Sequence, residues 1–135
     1  MTLVDSNILL DLVSKDSNWW QWSLNQLEMS AQTGTLVIND IIYTETSIRY
    51  RTIEEVDAML ATAGVTLVPI SPAALFRAGK AFVQYRKAGG SRTSVLPDFF
   101  IGAHAEVERL SLLTRDARRY RSYFPNATLI APDEI

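Results

Sequence analysis

Four acidic residues lie where a folded chain could bring them together: Asp5, Glu45, Asp98 and Asp116. Asp5 and Asp116 each lie just past an apolar segment of the kind that forms a buried strand in a parallel α/β sheet. Such sheets bind ligands outside the carboxyl ends of their strands. Carboxylates at one sheet edge repel each other unless divalent cations lie between them, and Mg²⁺ and Mn²⁺ prefer carboxylate oxygen and water. The four residues therefore predict an oxygen-ligated metal site at one edge of a sheet.

Oxygen-ligated divalent metals suit the hydrolysis of phosphodiester bonds. Where two metals lie about 3.5 to 4 Å apart, one lowers the pKa of a bound water to give the attacking hydroxide, and the other stabilises the leaving oxygen. The chain has no cysteine and a single histidine, His104, which excludes thiolate sites and argues against an imidazole-rich site. Because the reaction needs no histidine base, His104 is assigned no role.

Glu45 occupies a predicted helix with a periodic apolar pattern. It shares a stripe with Ile41 and Ile48, which turns it toward the core. A carboxylate there requires a cation or dense hydrogen bonding. An ion pair with Arg49, one turn further on, is the plainer alternative.

The other three acids also have plainer interpretations. Asp98 shares a helical stripe with Gly102 and Ala105, small residues that let the helix lie close to the sheet, but it could simply be a first-turn charge against the helix dipole. Asp5 and Asp116 could each be a helix N-cap. Each interpretation suffices alone, whereas four carboxylates at one sheet edge favour a metal site.

Strand-like and helix-like segments alternate along the 135 residues. Short apolar runs between turn residues predict strands at 2–4, 35–38, 65–70, 110–114 and 127–130. Helical periodicity and capping residues predict helices at about 7–13, 19–32, 40–50, 53–64, 72–87, 97–109 and 116–123. The alternation indicates one α/β domain over residues 1–135, with a mainly parallel sheet and right-handed crossovers.

Several helix ends carry specific signals. Gly34 suits a left-handed cap at the end of the second helix. N-cap signals occur at Asn39 or Asp40, at Thr52 with Glu55 three residues later, and at Ser71 before Pro72.

The net charge of -2 hides an asymmetry along the chain. Residues 1–70 carry three basic and nine acidic side chains, whereas residues 71–132 carry ten basic and four acidic ones. Five arginines crowd around Asp116: Arg109, Arg115, Arg118, Arg119 and Arg121. A charge run is often only a solvated helix face, but beside a metal site it favours contact with a polyanion.

The first 13 residues contain two aspartates and no basic residue, which fits neither a signal peptide nor a transit peptide. No apolar run is long enough to span a bilayer. We therefore expect a cytoplasmic protein that makes no membrane contact.

Four short segments carry a family resemblance: Val4-Asp5-Ser6-Asn7, Thr44-Glu45, Leu96-Pro97-Asp98-Phe99-Phe100-Ile101-Gly102-Ala103-His104-Ala105 and Leu112-Leu113-Thr114-Arg115-Asp116. In order, spacing and position relative to the strands, they resemble the PIN-domain nucleases, specifically VapC-type toxins. The resemblance covers nearly the whole chain. It implies a three-layer α/β/α fold, Mg²⁺- or Mn²⁺-dependent endoribonuclease activity, a homodimer, and inhibition by a cognate VapB-like antitoxin.

The resemblance also implies roles for individual residues. The family's catalytic, metal-binding acidic quartet corresponds to Asp5, Glu45, Asp98 and Asp116. Of these, Asp5 and Asp98 are expected to bind metal directly, and the other two either directly or through water. Asn7 and Thr114 match polar positions that would orient carboxylates or waters.

Two further acids are left outside the site. Asp40 is interpreted as a helix cap. Asp11, one turn after Asn7, is expected to face solvent.

Basic residues near the acids are candidates for binding RNA. Arg92 and Ser94 lie in the flexible segment 89–95, just before Asp98, and could contact phosphate, although an ordinary surface loop is equally compatible. The arginine-rich stretch adds further candidates: Arg115, Arg118 and Arg119.

Trp19, Trp20 and Trp22 cannot all face one way on a helix. Some would pack in the core, and an exposed one could contact a second subunit or an antitoxin helix.

Two other classes of protein share features with this sequence. A receiver or haloacid-dehalogenase-type phosphotransfer domain also places an aspartate after its first strand, but Asp5-Ser6-Asn7 lacks a second nearby acid, and no lysine lies at a strand end. The alternative from a different class is a noncatalytic RNA-binding or sequestering module with a PIN-like fold. The intact quartet argues against it.

Overall fold

Five parallel strands form one sheet in the computed structural model, which describes residues 1–132. The strands are β1 (Thr2–Val4), β2 (Leu36–Ile38), β3 (Val65–Leu67), β4 (Ser111–Leu113) and β5 (Thr128–Ile130). Their order across the sheet is β3-β2-β1-β4-β5. Leu3 pairs with Val37 on one side and Leu112 on the other, so β1 lies at the centre. The predicted α/β fold with a parallel sheet is therefore confirmed.

Helices flank the sheet in the described part of the chain. They are α1 (Ser6–Ser14), α2 (Trp20–Thr33), α3 (Asp40–Ser47), α4 (Ile53–Ala63), α5 (Pro72–Lys87), α6 (Pro97–Val107) and α7 (Arg118–Arg121). Every predicted strand and helix is present, and most are shorter than predicted. Within residues 1–132, no helix combines the length and the apolar character needed to cross a bilayer.

The core lies where the helices cover the central strands. All residues of β1 and β2 are buried, and all but Thr2 are apolar, as expected for strands covered on both faces. Full burial of a leucine or isoleucine side chain stabilises a fold by about 1.5 to 3 kcal/mol. A second layer of aromatic contacts joins α5, α6 and the segment after α7, with Phe99 edge-to-face against Tyr85, Tyr123 and Phe124.

Three of the predicted N-caps form hydrogen bonds. The side chains of Asn39, Thr52 and Ser71 accept from backbone amides at the starts of α3, α4 and α5. Asp5 is the N-cap of α1, but its side chain accepts from the amide of the next residue, Ser6, rather than from the amide three residues on. These caps fix where each helix leaves the sheet.

Three local predictions are wrong. Gly34 has φ of 171°, which is extended rather than left-handed, because the chain passes directly from α2 into β2. Asp40 is the first residue of α3 and Asn39 is its cap. Helix α3 ends at Ser47, so Ile48 leaves the helical stripe and is 80% exposed.

Candidate active site

The four acids are carried by four different elements. Asp5 follows β1, Glu45 lies on α3, Asp98 lies in the first turn of α6, and Asp116 follows β4. Their charges act on one another: Asp5 and Asp98 both raise the pKa of Glu45, and Asp5 and Asp116 both raise that of Asp98. The fold therefore gathers the predicted quartet at one edge of the sheet, beyond β1 and β4.

Asp5 is almost fully buried, and its orientation is fixed by hydrogen bonds to both oxygens. Oδ1 accepts from the backbone amide of Ser6 at 2.8 Å. Oδ2 accepts from two hydroxyls, Thr114 Oγ1 at 2.9 Å and Tyr120 Oη at 2.7 Å. Ser6 Oγ also lies 3.5 Å from Oδ1, so both oxygens of Asp5 have two donor groups nearby.

Tyr120 belongs to the site and was not among the predicted residues. It is fully buried in the one-turn helix α7. Burial, together with the charges of Asp5 and Asp98, raises the pKa of its hydroxyl, so the hydroxyl stays protonated and donates. A signal was present in the sequence: Tyr120 is the one residue of the stretch Arg118-Arg119-Tyr120-Arg121 that can be buried without a charge.

Glu45 is half-buried and lies at the side of α3 rather than on its core face. The buried residues of this helix are Ile42 and Thr46, so the predicted stripe containing Ile48 is wrong. Ser6 Oγ donates to Glu45 Oε1 at 3.1 Å, and no ion pair with Arg49 occurs within residues 1–132. Burial is the main cause of the raised pKa of Glu45, and the hydrogen bond from Ser6 opposes it.

Asp98 and Asp116 share one cation, the guanidinium of Arg119. Its Nε lies 3.1 Å from Asp98 Oδ2 and 3.5 Å from Asp116 Oδ2. Burial raises the pKa of Asp98, and Arg119 opposes that rise. Among the predicted RNA-binding arginines, Arg119 is thus the one that lies within the acidic cluster.

A chain of hydrogen bonds joins the end of β1 to the end of β4. The hydroxyl of Thr114 donates to Asp5 and accepts from Asn7 Nδ2 at 3.3 Å and from the amide of Asp116 at 3.1 Å. Asn7 Oδ1 in turn accepts from the amide of Arg115 at 3.2 Å. Asn7 and Thr114 therefore hold two of the acids in register, although their role beside a metal stays a prediction.

Asp11 is buried, which corrects the expectation that it faces solvent. Its Oδ2 accepts from Ser23 Oγ at 2.7 Å and lies 2.7 Å from Arg115 Nε. The guanidinium of Arg115 also lies over the ring of Trp19, 5.3 Å from its centroid. A buried carboxylate is tolerated here because a basic side chain, distant in sequence, neutralises it.

The remaining basic candidates lie at the surface. Arg92 and Arg118 are exposed, and Arg92 belongs to the irregular segment between α5 and α6. Contact with RNA stays a prediction for both residues, and for Arg115 it would compete with the Asp11 pair.

His104 is buried and structural. Asn39 Nδ2 donates to His104 Nδ1 at 3.0 Å, and burial lowers the pKa of the imidazole, which keeps it neutral. The contact ties the cap of α3 to α6, so it helps to place Glu45 relative to Asp98.

The donor set fits a hard divalent cation by its chemistry. It consists of carboxylate oxygens whose mutual repulsion a cation would relieve. In the part of the chain that the structure describes, no three acidic or histidine side chains already lie close enough together to hold one ion. The positive charge between Asp98 and Asp116 is that of Arg119.

Comparison with known proteins identifies the class. The family model described as PIN domain matches residues 2–124, so the chain belongs to the PIN-domain family. The resemblance read from the sequence is confirmed at this level. No curated protein is similar enough in sequence to match.

Solved structures of toxin–antitoxin complexes contain chains with this fold. A chain of VapBC2 from Rickettsia felis, bound to a promoter DNA fragment, superimposes with a TM-score of 0.72 at 20% identity, covering 98% of each chain. A chain of a toxin–antitoxin complex from Klebsiella pneumoniae gives 0.70 at 24% identity over 100% of both chains. VapBC-1 from nontypeable Haemophilus influenzae gives 0.71 at 18% identity over 96% of both.

Proposed function

We propose that this protein is a divalent-metal-dependent endoribonuclease that acts as the toxin of a toxin–antitoxin pair. The observation that carries the proposal is the convergence of Asp5, Glu45, Asp98 and Asp116 at one sheet edge. Ser6 contacts both Asp5 and Glu45, and Arg119 lies between Asp98 and Asp116. Membership of the PIN-domain family and similarity to chains of VapBC complexes support it.

The four acids are the proposed metal-binding and catalytic residues, with Mg²⁺ or Mn²⁺ as the cofactor. Bound there, the metal would supply a water of lowered pKa and positive charge for the leaving oxygen. The protein contributes orientation: Thr114 and Tyr120 hold Asp5, and Ser6 holds Glu45. Oriented ligands lose little entropy when the metal binds, which favours tight binding.

The proposed substrate is RNA, because the acidic cluster is bordered by basic residues of α7. Phosphodiester oxygens need positive charge near the site, and the proposed contacts are Arg92, Arg115, Arg118 and Arg119. These contacts would be independent of base sequence.

The proposed partners are a VapB-like antitoxin and a second copy of the chain, and the proposed location is the cytoplasm. The relatives named above come from complexes of toxin and antitoxin. Trp20 is the tryptophan left for such a contact, since Trp19 lies against Arg115 and Trp22 packs on the core. Unchanged antitoxin binding by Trp20→Ala would remove it from the interface.

The test is cleavage of total cellular RNA by the purified protein with Mn²⁺, with Mg²⁺ and with a chelator. Asp98→Asn keeps the shape of the side chain and removes its charge, so we expect metal-dependent fragments from the wild type and none from this variant. Asp57→Asn makes the same change on the exposed face of α4, where Asp57 accepts from Tyr43, and should cleave normally. If wild type and Asp98→Asn bound RNA equally and the wild type did not cleave it, the noncatalytic RNA-binding module would be favoured.

A further inference from the structure

The guanidinium of Arg119 lies between two of the four proposed metal ligands. Its Nε lies within 3.5 Å of one carboxylate oxygen on each of Asp98 and Asp116. Those two acids are carried by α6 and by the segment after β4, so Arg119 joins both sides of the site. A divalent cation held by Asp98 and Asp116 would compete with Arg119 for their negative charge.

Electrostatics gives Arg119 a specific role. Within the described residues, it is the one basic side chain whose charge acts on both Glu45 and Asp98, where it lowers each pKa against the effect of burial. Burial lowers the pKa of Arg119 itself, but the surrounding carboxylates, Asp98 foremost, raise it by more. The guanidinium is therefore the counter-ion of the acidic cluster.

The side chain of Arg119 is partly exposed, while a different residue anchors the helix that carries it. It is 46% exposed, whereas its neighbour Tyr120 is fully buried and anchors α7 to Asp5. Rotation of an exposed arginine side chain needs no backbone movement. The anchor thus fixes the backbone of Arg119 beside the cluster while its guanidinium can exchange with solvent.

We propose that Arg119 is a built-in competitor for the metal site: its guanidinium holds Asp98 and Asp116 in the metal-free protein and must swing out when a divalent cation binds. The inference rests on the proposed function, because it takes the four acids to be the metal ligands. It predicts that the measured free energy of metal binding is the free energy of binding the ion less the free energy needed to break the contacts of Arg119 with Asp98 and Asp116.

The experiment is calorimetric titration of Mn²⁺ into four forms of the full chain: wild type, Arg119→Gln, Asp98→Asn and Lys80→Gln. Lys80 is an exposed cation on α5 that lies over Phe76, so its removal makes the same change of net charge away from the site. We expect Arg119→Gln to bind Mn²⁺ at least about tenfold more tightly than wild type, since a close like charge is removed, and the gain to shrink at high salt. Lys80→Gln should match wild type, and Asp98→Asn should bind more weakly.

A second measurement follows the wild-type protein and does not depend on the folding of Arg119→Gln. The Nε–Hε resonance of Arg119, assigned by its disappearance in Arg119→Lys, is followed by NMR while Mg²⁺ is added. We expect it to shift in step with metal binding. Metal binding without this shift would overturn the proposal, even if Arg119→Gln did not fold.

The outcomes separate this inference from the proposed function. If wild type binds Mn²⁺ and Asp98→Asn does not, but Arg119→Gln binds no more tightly than wild type, only the competition is refuted. If neither wild type nor a folded Arg119→Gln binds Mn²⁺, the metal-dependent function fails along with it.

Discussion

At the scale of single residues, the hydroxyl of Tyr120 fixes one oxygen of Asp5 at the centre of the site. Tyr120→Phe keeps the buried ring and removes only this donor. We expect Mn²⁺ affinity or RNA cleavage to fall by about 10- to 100-fold, as for other residues that orient metal ligands. The free energy of unfolding should fall by about 1 to 2 kcal/mol, because a buried acceptor loses a partner. Metal titration, cleavage kinetics and urea unfolding measure the three effects.

Tyr43→Phe is the matched control for that change. The hydroxyl of Tyr43 donates to Asp57 at the surface, so its loss should leave cleavage and metal affinity unchanged. Wild-type Mn²⁺ affinity in Tyr120→Phe would show that Asp5 is oriented without this hydrogen bond.

Glu45 is held in a charged form that its surroundings disfavour. Its pKa lies above the ordinary value of 4.5, chiefly because of burial and also because of the charges of Asp5 and Asp98. A raised acid pKa means that the folded state binds the proton more readily, so the charged group lowers stability above its folded pKa. Glu45→Gln should therefore raise the Tm of the metal-free protein at pH 7.5, and the gain should fade as the pH drops through the raised pKa toward 4.5.

Thermal unfolding followed by circular dichroism between pH 4.5 and 8 measures this difference. Glu54→Gln, an exposed change in the first turn of α4, provides the comparison and should show no gain at pH 7.5. A Tm difference between Glu45→Gln and wild type that did not depend on pH would contradict the electrostatic explanation.

The sequence was enough to place an acid that directly follows a strand. It was not enough to place an acid whose ion-pair partner is distant along the chain. The gathering of Asp5 and Asp116 follows from their positions after β1 and β4, since the ends of parallel strands meet at one edge. Asp11 was expected outside because an acid on an amphipathic helix usually is. Its burial depends on Arg115, which no local pattern connects to α1.

At the scale of elements, the order and type of helices and strands were predictable, but helix faces near their ends were not. Short apolar runs, helical periodicity and capping residues together located the strands and helices of residues 1–132. The stripe through Glu45 and Ile48 failed because α3 stops at Ser47, and a periodic argument holds only while the helix continues. Helix α7 has a single turn and therefore no period, so only residue type, and not spacing, could have indicated that Tyr120 is buried.

The close approach of α6 to the segment after α7 depends on Gly102. A methyl group at this position would overlap the ring of Phe124, so Gly102→Ala should lower the free energy of unfolding by about 1 to 3 kcal/mol through overpacking. Because Asp98 lies on the same helix, RNA cleavage should fall as well. Urea unfolding and cleavage kinetics measure both effects.

Gly79→Ala is the matched substitution on α5. No atom of the described chain lies near the added methyl group, so alanine should stabilise the helix by about 0.5 to 1 kcal/mol. The opposite signs of the two glycine changes separate packing from helix propensity. A stabilised Gly102→Ala would show that Phe124 moves aside freely.

At the scale of the whole molecule, opposite charges from the two halves of the chain lie next to each other. The acidic first half supplies Asp5, Asp11 and Glu45, and the basic second half supplies Arg115 and Arg119, which neutralise them and their neighbours. The sequence showed the asymmetry and suggested RNA as the partner of the basic residues. The fold shows that at least two of these arginines face acids of the same protein.

Substitution of Arg115 tests whether its charge mainly stabilises Asp11 or mainly binds RNA. Arg115→Ala leaves the buried carboxylate of Asp11 with a hydrogen bond from the hydroxyl of Ser23 but without its cation, and an unpaired buried carboxylate is costly. We expect the free energy of unfolding to fall by about 2 to 3 kcal/mol, less than for a fully buried pair because Arg115 is partly exposed. Adding Asp11→Asn should restore part of the loss, since it removes the unpaired charge.

Arg92→Ala is the control for that series, because Arg92 lies in an exposed segment. Its stability should stay within about 0.5 kcal/mol of wild type, while its affinity for RNA falls if the loop contacts phosphate. Urea unfolding measures the stability. RNA affinity is measured with each variant combined with Asp98→Asn, so that the RNA is not expected to be cleaved. If Arg115→Ala were as stable as wild type and bound RNA more weakly, the charge of Arg115 would serve the substrate; loss of stability with unchanged RNA affinity assigns it to Asp11.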